Sequence, residues 1–383
     1  MREVVIAGVG MHPFGRFERK PYQEMGVEAT LMALKDANVP WKDVQAAYCG
    51  SMFAPPTAGL KTLSRIGLTG IPVTDVETAC ASGGSSIVIA YQAITAGFCD
   101  VVLALGIEKM PKGFIPPSAL GEPWQVDAGL VSGPMGFAMA AQRHMQMYGT
   151  TVEQIARVSV KNHKNGVHNP YAMYRKEMSF EQIMNSLMVA DPLRILMLCA
   201  PNDGAAAAVL CGKDIVSKYK DVKKCPRVAG AVVKTPGYPG WAGIPFYSCG
   251  ITKPIVSPTK TAAKAAYEMA GIGPGDLDFV ELQDTDACSE IIWSEQLGLC
   301  KEGEGGRLVD EGLSEINGKI PINPSGGLLS KGEPVGASGL GQIAELVWQL
   351  RGDAGKRQVA NAKAGLSHVI GNGGNCAVII LKR

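Results

Sequence analysis

The stretch Glu77-Thr78-Ala79-Cys80-Ala81-Ser82-Gly83-Gly84 lies between an apolar, strand-like entry and a helix-like run from Ile87 to Ala96. A turn of small residues that leads into a helix places a side chain beside free backbone N–H groups and the positive end of the helix dipole. A thiol in that position has a lowered pKa and forms a usable thiolate. The stretch therefore predicts Cys80 as a nucleophile, with a buried structural cysteine as the alternative.

The composition predicts a neutral globular protein. The chain has 383 residues, of which 46% are hydrophobic and 19% are charged, which is enough for two or three domains with an ample core. Lys and Arg number 37 against 35 Asp and Glu, giving a net charge of +2. A balance so close to neutrality supplies no basic field for nucleic acid or for an anionic membrane, so we expect small-molecule ligands.

The cysteines and histidines do not form metal-binding patterns. The ten Cys include no Cys-x-x-Cys pair and follow no signal peptide, so we expect reduced thiols in a cytoplasmic protein. The five His have no spacing suited to zinc, and we expect no bound metal. The apolar stretch Ser85 to Ile107 is interrupted by Gly97, Cys99 and Asp100, which predicts a buried helix, a turn and a strand rather than a membrane span.

Two parts of the chain repeat one pattern. A helix-like run, a turn and an apolar strand occur over residues 29–50 and again over residues 262–282. Ala81-Ser82-Gly83, before one apolar helical run, is matched by Ala337-Ser338-Gly339 before another. A strand-like segment also opens each half of the chain, Val4 to Gly8 in the first and Arg227 to Val233 in the second. The shared order predicts two duplicated βαβ halves, with a chance similarity of small residues as the alternative.

The repeat divides the chain into three regions. We place the N-terminal half at residues 1–110 and 201–225, and the C-terminal half at residues 226–383. Between them, residues 111–200 are richer in Met, Pro and polar residues and have their own helical periodicity. This region is predicted to be an inserted domain that shapes the substrate site beside the nucleophile.

Five motifs spread over nearly the whole chain resemble those of the thiolases, in the branch similar to the sterol-carrier and lipid-transfer thiolases. Each motif alone is a weak signal, but together they are highly specific. The motifs are Ala79-Cys80-Ala81-Ser82-Gly83, Asp191-Pro192-Leu193-Arg194, Asn202-Asp203-Gly204-Ala205-Ala206, the run from Ser330 to Gly339, and His368-Val369-Ile370-Gly371-Asn372-Gly373-Gly374.

The resemblance implies a fold and a reaction. The fold is the α/β thiolase fold, with five layers in the order α-β-α-β-α and the inserted region as a loop domain that receives coenzyme A. Coenzyme A is then a substrate, and the protein is a dimer or a dimer of dimers. Cys80 would attack a carbonyl, a carbon–carbon bond would break or form, and the acyl group would leave on a second thiol. The resemblance assigns the oxyanion to the backbone amides of Cys80 and Gly371.

Three positions around the nucleophile depart from the family pattern. Gly332-Glu333-Pro334 stands where the family has Gly-His-Pro. The motif Gln283-Asp284-Thr285-Asp286 keeps an amide donor in Gln283, and Thr285 replaces a thiol of the family pattern. Val369 occupies the position of the family's acid–base cysteine. His368 beside it is a candidate site residue, with a core or supporting imidazole as the alternative.

The carboxyl group of Glu333 changes the electrostatics of the predicted site, because an ionised carboxylate near Cys80 disfavours the thiolate. Burial can raise the pKa of Glu333 so that it acts as the general base for the Cys80 thiol. Alternatively, Glu333 stays neutral and donates a hydrogen bond to an enolate oxygen. We favour the base, since Gln283 is available as the donor.

The altered site predicts a thiolase-type acyltransferase that acts on an unusual 3-oxoacyl-CoA. A branched, aromatic or carboxylated acyl group is expected, such as that of 2-benzoylsuccinyl-CoA. One alternative is a carbon–carbon lyase or synthase of the same fold, resembling the thiolase-like aldolases or hydroxymethylglutaryl-CoA synthase. Another is a non-catalytic, lipid-binding subunit. The resemblance also implies a small OB-fold, zinc-ribbon partner protein, to which any zinc would belong, whereas the residues that contact coenzyme A are not assigned.

Overall fold

The computed structural model of the chain describes residues 2–238 and 256–383. Its strands are β1 (Val4–Gly15), β2 (Ala46–Gly50), β3 (Val73–Val76), β4 (Val101–Glu108), β5 (Met188–Ala190), β6 (Leu193–Arg194), β7 (Asp203–Gly212), β8 (Arg227–Lys234), β9 (Phe279–Glu281), β10 (Ala364–Ile370) and β11 (Cys376–Lys382). Its α-helices are α1 (Tyr22–Ala37), α2 (Ala58–Leu63), α3 (Ser82–Thr95), α4 (Pro123–Asp127), α5 (Gly133–Tyr148), α6 (Val152–Gly166), α7 (Phe180–Met184), α8 (Pro258–Ala270), α9 (Ala287–Gln296), α10 (Gly305–Asp310), α11 (Gly327–Lys331) and α12 (Val335–Arg351).

A mixed sheet forms the frame of the molecule, with the strand order β3-β2-β4-β7-β1-β8-β11-β10-β9. Both ends of the sheet are parallel, with β2 beside β3 and β4 at one end and β9 beside β10 at the other. The inner strands are antiparallel. The two halves meet between β1 and β8, where one residue pair, Val5 and Arg227, is in register. The sheet is therefore built from two similar halves, as the sequence repeat predicts.

The helices α3 and α12 lie side by side in the centre of the molecule and share one hydrophobic core with strands of both halves. Small residues allow this close packing, because a Cβ atom added to Gly83 would lie 2.8 Å from the carbonyl oxygen of Gly336. These two glycines belong to the first turns of the two helices. The chain segments that precede the helices are therefore neighbours, and they contain Cys80 and Glu333.

The outer faces of the two half-sheets are covered by further helices. The core formed by α1 and α2 includes the other face of the N-terminal strands, and α8 and α9 pack on the C-terminal strands. This arrangement is the five-layered α-β-α-β-α fold that was predicted. The apolar stretch after Ser85 forms α3, a turn and β4, as predicted. None of the helices in residues 2–238 and 256–383 is long and apolar enough to cross a membrane.

The region between the halves forms α4 to α7 and the small β5–β6 ladder. Its helices α5 and α6 pack against α9, and α6 also contacts α10 and α11 of the C-terminal half. After this region the chain returns to the N-terminal half as β7, which lies between β4 and β1. The boundaries at residues 110, 200 and 225 stay predictions, and residues 239–255 of the predicted C-terminal half lie outside the described residues.

Candidate active site

A mostly apolar cavity of about 130 Å³ lies where the segments before α3 and α12 meet the inserted region. Its polar lining includes the side chains of Cys80, Cys199, Gln283 and Glu333. Three aromatic rings, those of Phe114, Phe137 and Trp293, also belong to the wall. The structure thus brings three of the predicted site residues, Cys80, Gln283 and Glu333, into one enclosed space.

The turn that carries Cys80 is fixed by local hydrogen bonds. The N–H of Thr78 donates to Oγ of Ser82 at 2.9 Å, and this hydroxyl donates in turn to the carbonyl oxygen of Ala79. Ala79 has a φ of 52°, a left-handed conformation that costs free energy for a residue with a Cβ atom. The helix α3 begins at Ser82. The side chain of Cys80 is partly buried and lines the cavity.

The thiol of Cys80 is not the low-pKa group that the helix dipole alone predicts. Burial raises its pKa well above the ordinary value, and the neighbouring carboxylate of Glu333 raises it further. A hydrogen bond from Gln283 acts in the opposite direction and is the smaller effect. The prediction of a lowered pKa was therefore wrong, because the dipole of α3 does not outweigh desolvation and a nearby negative charge. Such a thiol needs a base at the moment of attack.

Glu333 is a buried carboxylate with three hydrogen-bond donors around it. The Sγ of Cys199 donates to Oε2 at 2.8 Å, and Nε2 of Gln283 donates to Oε1 at 2.8 Å. The third donor is the thiol of Cys80. Burial raises the pKa of Glu333, while the three donors stabilise its ionised form and lower the pKa. The result is a carboxyl group able to hold or release a proton beside two thiols.

Gln283 connects Glu333 to the last strands of the sheet. Its Oε1 accepts a hydrogen bond from the backbone N–H of Ile370, which leaves Nε2 to face Glu333. The next two residues along the chain alternate in direction. Thr285 lines the cavity, whereas Asp284 is buried and accepts hydrogen bonds from the backbone N–H groups of Leu328 and Leu329.

Gly371 makes close contact with the turn of Cys80. A Cβ atom at residue 371 would lie 2.0 Å from the carbonyl oxygen of Thr78, so only glycine allows the last motif to approach the nucleophile. The backbone N–H of Gly371 donates to the carbonyl oxygen of Asn375 at 2.7 Å. The structure therefore places Gly371 at the cavity, as the sequence predicts, but its amide already has an acceptor.

His368 does not reach the cavity. Its side chain is fully buried, and its Nε2 shares a hydrogen bond of 3.0 Å with Oγ1 of Thr259. The imidazole ring lies 5.4 Å from the ring of Trp293, which is the residue that lines the cavity. Burial lowers the pKa of His368 to about 3, so the ring is neutral. The prediction of a catalytic His368 is corrected, and the alternative, a core imidazole, describes this residue.

Cys199 is the site residue that the sequence analysis missed. Its backbone N–H donates to the carbonyl oxygen of Thr285 at 2.9 Å, which fixes the segment before β7 against the strand-end motif. Burial and the charge of Glu333 raise the pKa of its thiol well above the ordinary value. The sequence does contain a signal, since Cys199 lies three residues before the Asn202-Asp203-Gly204 motif. Its pairing with Glu333, however, spans 134 residues.

Asn372 has a buried polar atom at the cavity that lacks a hydrogen-bond partner among the described residues. The Nδ2 of Asn372 donates to the carbonyl oxygen of Leu120 at 2.9 Å, but its buried Oδ1 has no hydrogen-bond partner among the described residues. A buried acceptor without a donor costs free energy, so this oxygen is a natural contact for a ligand N–H group. No cluster of His, Cys, Asp and Glu suited to a metal ion is present in residues 2–238 and 256–383.

The two similar half-sheets, the paired central helices and the thiol-lined cavity define an enzyme of the thiolase fold. Family models agree along the chain: the thiolase N-terminal domain matches residues 4–214 and the thiolase C-terminal domain-like model matches residues 250–383. The chain belongs to the thiolase family. It is accordingly an acyltransferase that uses coenzyme A as a substrate.

Several curated relatives are similar over nearly the whole chain. Acetyl-CoA acetyltransferase of Methanothermobacter thermautotrophicus is 42% identical, with 100% of both chains covered. Sterol carrier protein 2 of Bos taurus is 40% identical over 99% of this chain and 72% of its own length. Benzoylsuccinyl-CoA thiolase subunit BbsB of Thauera aromatica is 37% identical over 97% of this chain and 95% of its own. The predicted branch of the family is confirmed.

Solved structures show the same fold. The Ltp2-ChsH2(DUF35) aldolase has a TM-score of 0.87 at 25% identity, covering 99% of this chain and 97% of that chain. Human mitochondrial 3-ketoacyl-CoA thiolase has a TM-score of 0.76 at 17% identity, with 100% and 98% covered. The predicted thiolase fold is therefore confirmed.

Proposed function

We propose that this enzyme cleaves or forms the carbon–carbon bond of an unusual 3-oxoacyl-CoA through an acyl-Cys80 intermediate. An aromatic or carboxylated acyl group, as in 2-benzoylsuccinyl-CoA, is the proposed substrate class. The observation that carries this proposal is the meeting of Cys80, Glu333 and Gln283 in one apolar cavity. A nucleophile, a base and a fixed amide donor are the groups that covalent acyl transfer requires.

Glu333 is proposed as the general base for Cys80. Three donors point at its carboxylate, namely two thiols and the amide of Gln283. An acceptor surrounded by donors is ionised more readily than a neutral acid, whose own O–H would need an acceptor. This arrangement supports the base role over the neutral-donor role. The raised pKa of Glu333 makes it a better acceptor for the Cys80 proton, whereas the raised pKa of Cys80 keeps that proton on the sulfur until the substrate carbonyl arrives.

The oxyanion is proposed to bind the backbone amide of Cys80 and the Nε2 hydrogen of Gln283 that faces the Cys80 thiol in the free enzyme and is released when the sulfur bonds to carbon. The described residues provide no acceptor for the Cys80 N–H, so this donor is available. The Gly371 amide would have to be shared with the carbonyl oxygen of Asn375. A donor fixed before the reaction stabilises developing charge more effectively in an apolar, water-poor cavity.

The cavity wall supports an aromatic acyl group. Phe114, Phe137 and Trp293 offer ring faces and edges to a bound aryl ring. The unpaired Oδ1 of Asn372 suits an amide N–H of the pantetheine arm. The similarity to the BbsB subunit, whose name refers to benzoylsuccinyl-CoA, supports the same substrate class.

A thiolase-fold aldolase is the second candidate, and the TM-score of 0.87 to the Ltp2-ChsH2(DUF35) aldolase favours it. An aldolase cleaves a carbon–carbon bond without transferring the acyl group to a cysteine. The partly buried thiol of Cys80 beside a base speaks for the acyltransferase. The two candidates therefore differ in whether a covalent acyl-enzyme forms.

The test is the mass of the intact protein after incubation with acetoacetyl-CoA or 2-benzoylsuccinyl-CoA. The acyltransferase gives an acyl adduct on the wild type, no adduct on Cys80→Ala, and loss of the adduct when free coenzyme A is added. The aldolase instead cleaves the C2–C3 bond of a 3-hydroxyacyl-CoA, such as 3-hydroxybutanoyl-CoA, into an aldehyde and a shorter acyl-CoA, and it leaves no adduct on Cys80. If the protein cleaves none of these esters and forms no adduct, both enzyme proposals are refuted and the lipid-binding subunit is supported.

Assembly is part of the proposal. The Ltp2-ChsH2(DUF35) aldolase is named for two proteins, and BbsB is named as a subunit. A small OB-fold, zinc-ribbon partner and a dimer or dimer of dimers of this chain are therefore proposed. Light scattering of the purified chain, alone and co-expressed with such a protein, measures both assemblies.

A further inference from the structure

The carboxylate of Glu333 is shared by two thiols from distant parts of the chain. Cys199 donates to Oε2 of Glu333 at 2.8 Å, and the thiol of Cys80 hydrogen-bonds to the same carboxylate. Both thiols line the cavity. Among the described residues of the cavity wall, these three side chains are the ones whose ordinary pKa allows proton exchange near neutral pH.

The proposed reaction requires two proton transfers. Cys80 must lose a proton in order to attack the carbonyl, and the carbon set free by bond cleavage must gain one. Glu333 accepts the first proton. If it also served the carbon, the same carboxyl group would have to reach both the Cys80 sulfur and C2, and take a new proton from coenzyme A before Cys80 could recover its own, so the two tasks conflict. A second acid in the cavity removes this conflict, and Cys199 is the group in position to supply it.

We propose that Cys199 is a further catalytic residue, the acid–base thiol that protonates and deprotonates C2 of the 3-oxoacyl-CoA. The inference rests on the proposed function and adds the group that serves the substrate carbon. Cys199 lies close to the Asn202-Asp203-Gly204 motif but is not part of it. Its assignment comes from the hydrogen bond to Glu333 and from its place in the cavity wall.

In the cleavage direction, the proton of Cys80 passes to Glu333 while the sulfur bonds to C3. The C2–C3 bond breaks, its electron pair moves to C2, and Cys199 gives its proton to C2. The first acyl-CoA then leaves. The thiolate of Cys199 takes the thiol proton of incoming coenzyme A, whose sulfur attacks the acyl carbon. The bond to Cys80 breaks, and Cys80 recovers its proton from Glu333.

This sequence keeps a single negative charge in the catalytic group. The charge starts on Glu333, moves through the substrate to Cys199 while Glu333 is neutral, and returns. Two like charges in a buried site repel strongly, so moving one charge is favoured over creating a second. Burial raises the pKa of Cys199, which makes its thiolate a stronger base toward carbon.

The experiment separates thioester exchange from carbon chemistry in the full-length protein. Acylation of Cys80 by acetyl-CoA or benzoyl-CoA involves no carbon proton, whereas cleavage of acetoacetyl-CoA or 2-benzoylsuccinyl-CoA does. The variants are Cys199→Ala and Cys199→Ser, and Cys300→Ala is the matched control because this free, partly buried cysteine lies outside the cavity wall. Deuterium uptake at C2 of the products in heavy water follows the proton transfer directly.

We expect both Cys199 variants to acylate within about tenfold of the wild type, because the departing coenzyme A thiolate can take its proton from water, and to lose cleavage and deuterium uptake by about 100-fold. Cys300→Ala should match the wild type in all three. Cleavage by Cys199→Ala near the wild-type rate would overturn the inference, since Glu333 would then serve both atoms. Full cleavage by the Ser variant would overturn it too, as would loss of acylation in both variants, because Cys199 would then only position Glu333. If the wild type itself forms no acyl adduct, the proposed function fails instead.

Discussion

Cys80 and Glu333 occupy equivalent positions in the sequence, because each lies two residues before the first residue of a central helix, α3 for Cys80 and α12 for Glu333. Because the first turns of these helices pack together, the two side chains meet although 253 residues separate them in the sequence. The positive ends of both helix dipoles lie near the carboxylate. They help Glu333 to remain ionised despite its burial.

Replacing Glu333 by Gln tests the base directly. The Gln side chain keeps the shape but cannot accept the thiol proton, so acylation of Cys80 by acetyl-CoA should slow by about 100-fold or more. Intact-protein mass against time measures this rate. Glu268→Gln, at an exposed position on α8, is the matched control. Unimpaired acylation in Glu333→Gln would exclude the base role.

Replacing Gln283 by Leu should shift the pH dependence of the reaction. Gln283 donates to Glu333 and thereby lowers the pKa of that carboxyl group. Loss of this donor raises the pKa, and because the base acts in its ionised form, the acidic limb of kcat/KM moves to higher pH. A pH profile measures the shift. An unchanged or lower limb would contradict the assigned contact.

Replacing Gly371 by Ala should disrupt the turn of Cys80. The added methyl group would lie 2.0 Å from the carbonyl oxygen of Thr78, and overpacking of this kind costs about 1–3 kcal/mol in the free energy of unfolding. Acylation should fall as well, since the nucleophile is displaced. Denaturant unfolding and acylation rates measure the two effects. Gly275→Ala, where no heavy atom lies within 4 Å, should change neither.

Glu108 should make the stability of the protein depend on pH. Its buried carboxylate accepts hydrogen bonds from Met52, Phe53 and Gly336, yet burial raises its pKa from 4.5 to about 7. The folded state therefore binds a proton more tightly than the unfolded state does. The contribution of Glu108 to stability is highest below about pH 4.5 and falls as the pH rises to about 7, by up to about 3 kcal/mol.

The measurement is the free energy of unfolding as a function of pH, for the wild type and for Glu108→Gln. The variant cannot ionise, so its decline between about pH 4.5 and about pH 7 should be smaller than that of the wild type. Equal slopes in the two proteins would show that Glu108 is not the responsible group. The comparison uses slopes because Gln accepts fewer of the three hydrogen bonds and changes the absolute stability.

The sequence predicts those parts of the site that lie in local motifs. Each of the residues Cys80, Gln283 and Glu333 lies just after a strand or just before a helix. The local motif therefore also determines where the side chain points. The two half-sheets follow from the repeated helix–turn–strand pattern for the same reason. Local sequence patterns of this kind predict secondary structure and its repeats directly.

The errors concern properties that depend on distant residues. The pKa of Cys80 was predicted from its own helix, which would lower it, but burial and Glu333 raise it. His368 sits within a matched motif, but its strand turns the ring toward Thr259 and Trp293. Cys199 has no motif of its own, and only the fold places it beside Glu333.

The seam between β1 and β8, where one residue pair is in register, has a consequence for how the catalytic group could arise. Cys80 belongs to one half and Glu333 with Gln283 to the other, so a single ancestral half would hold either a nucleophile or a base, never both. Catalysis therefore requires the two halves to pack together. Separately expressed halves should each be inert, and mixing them should restore turnover only when the two central helices reassemble.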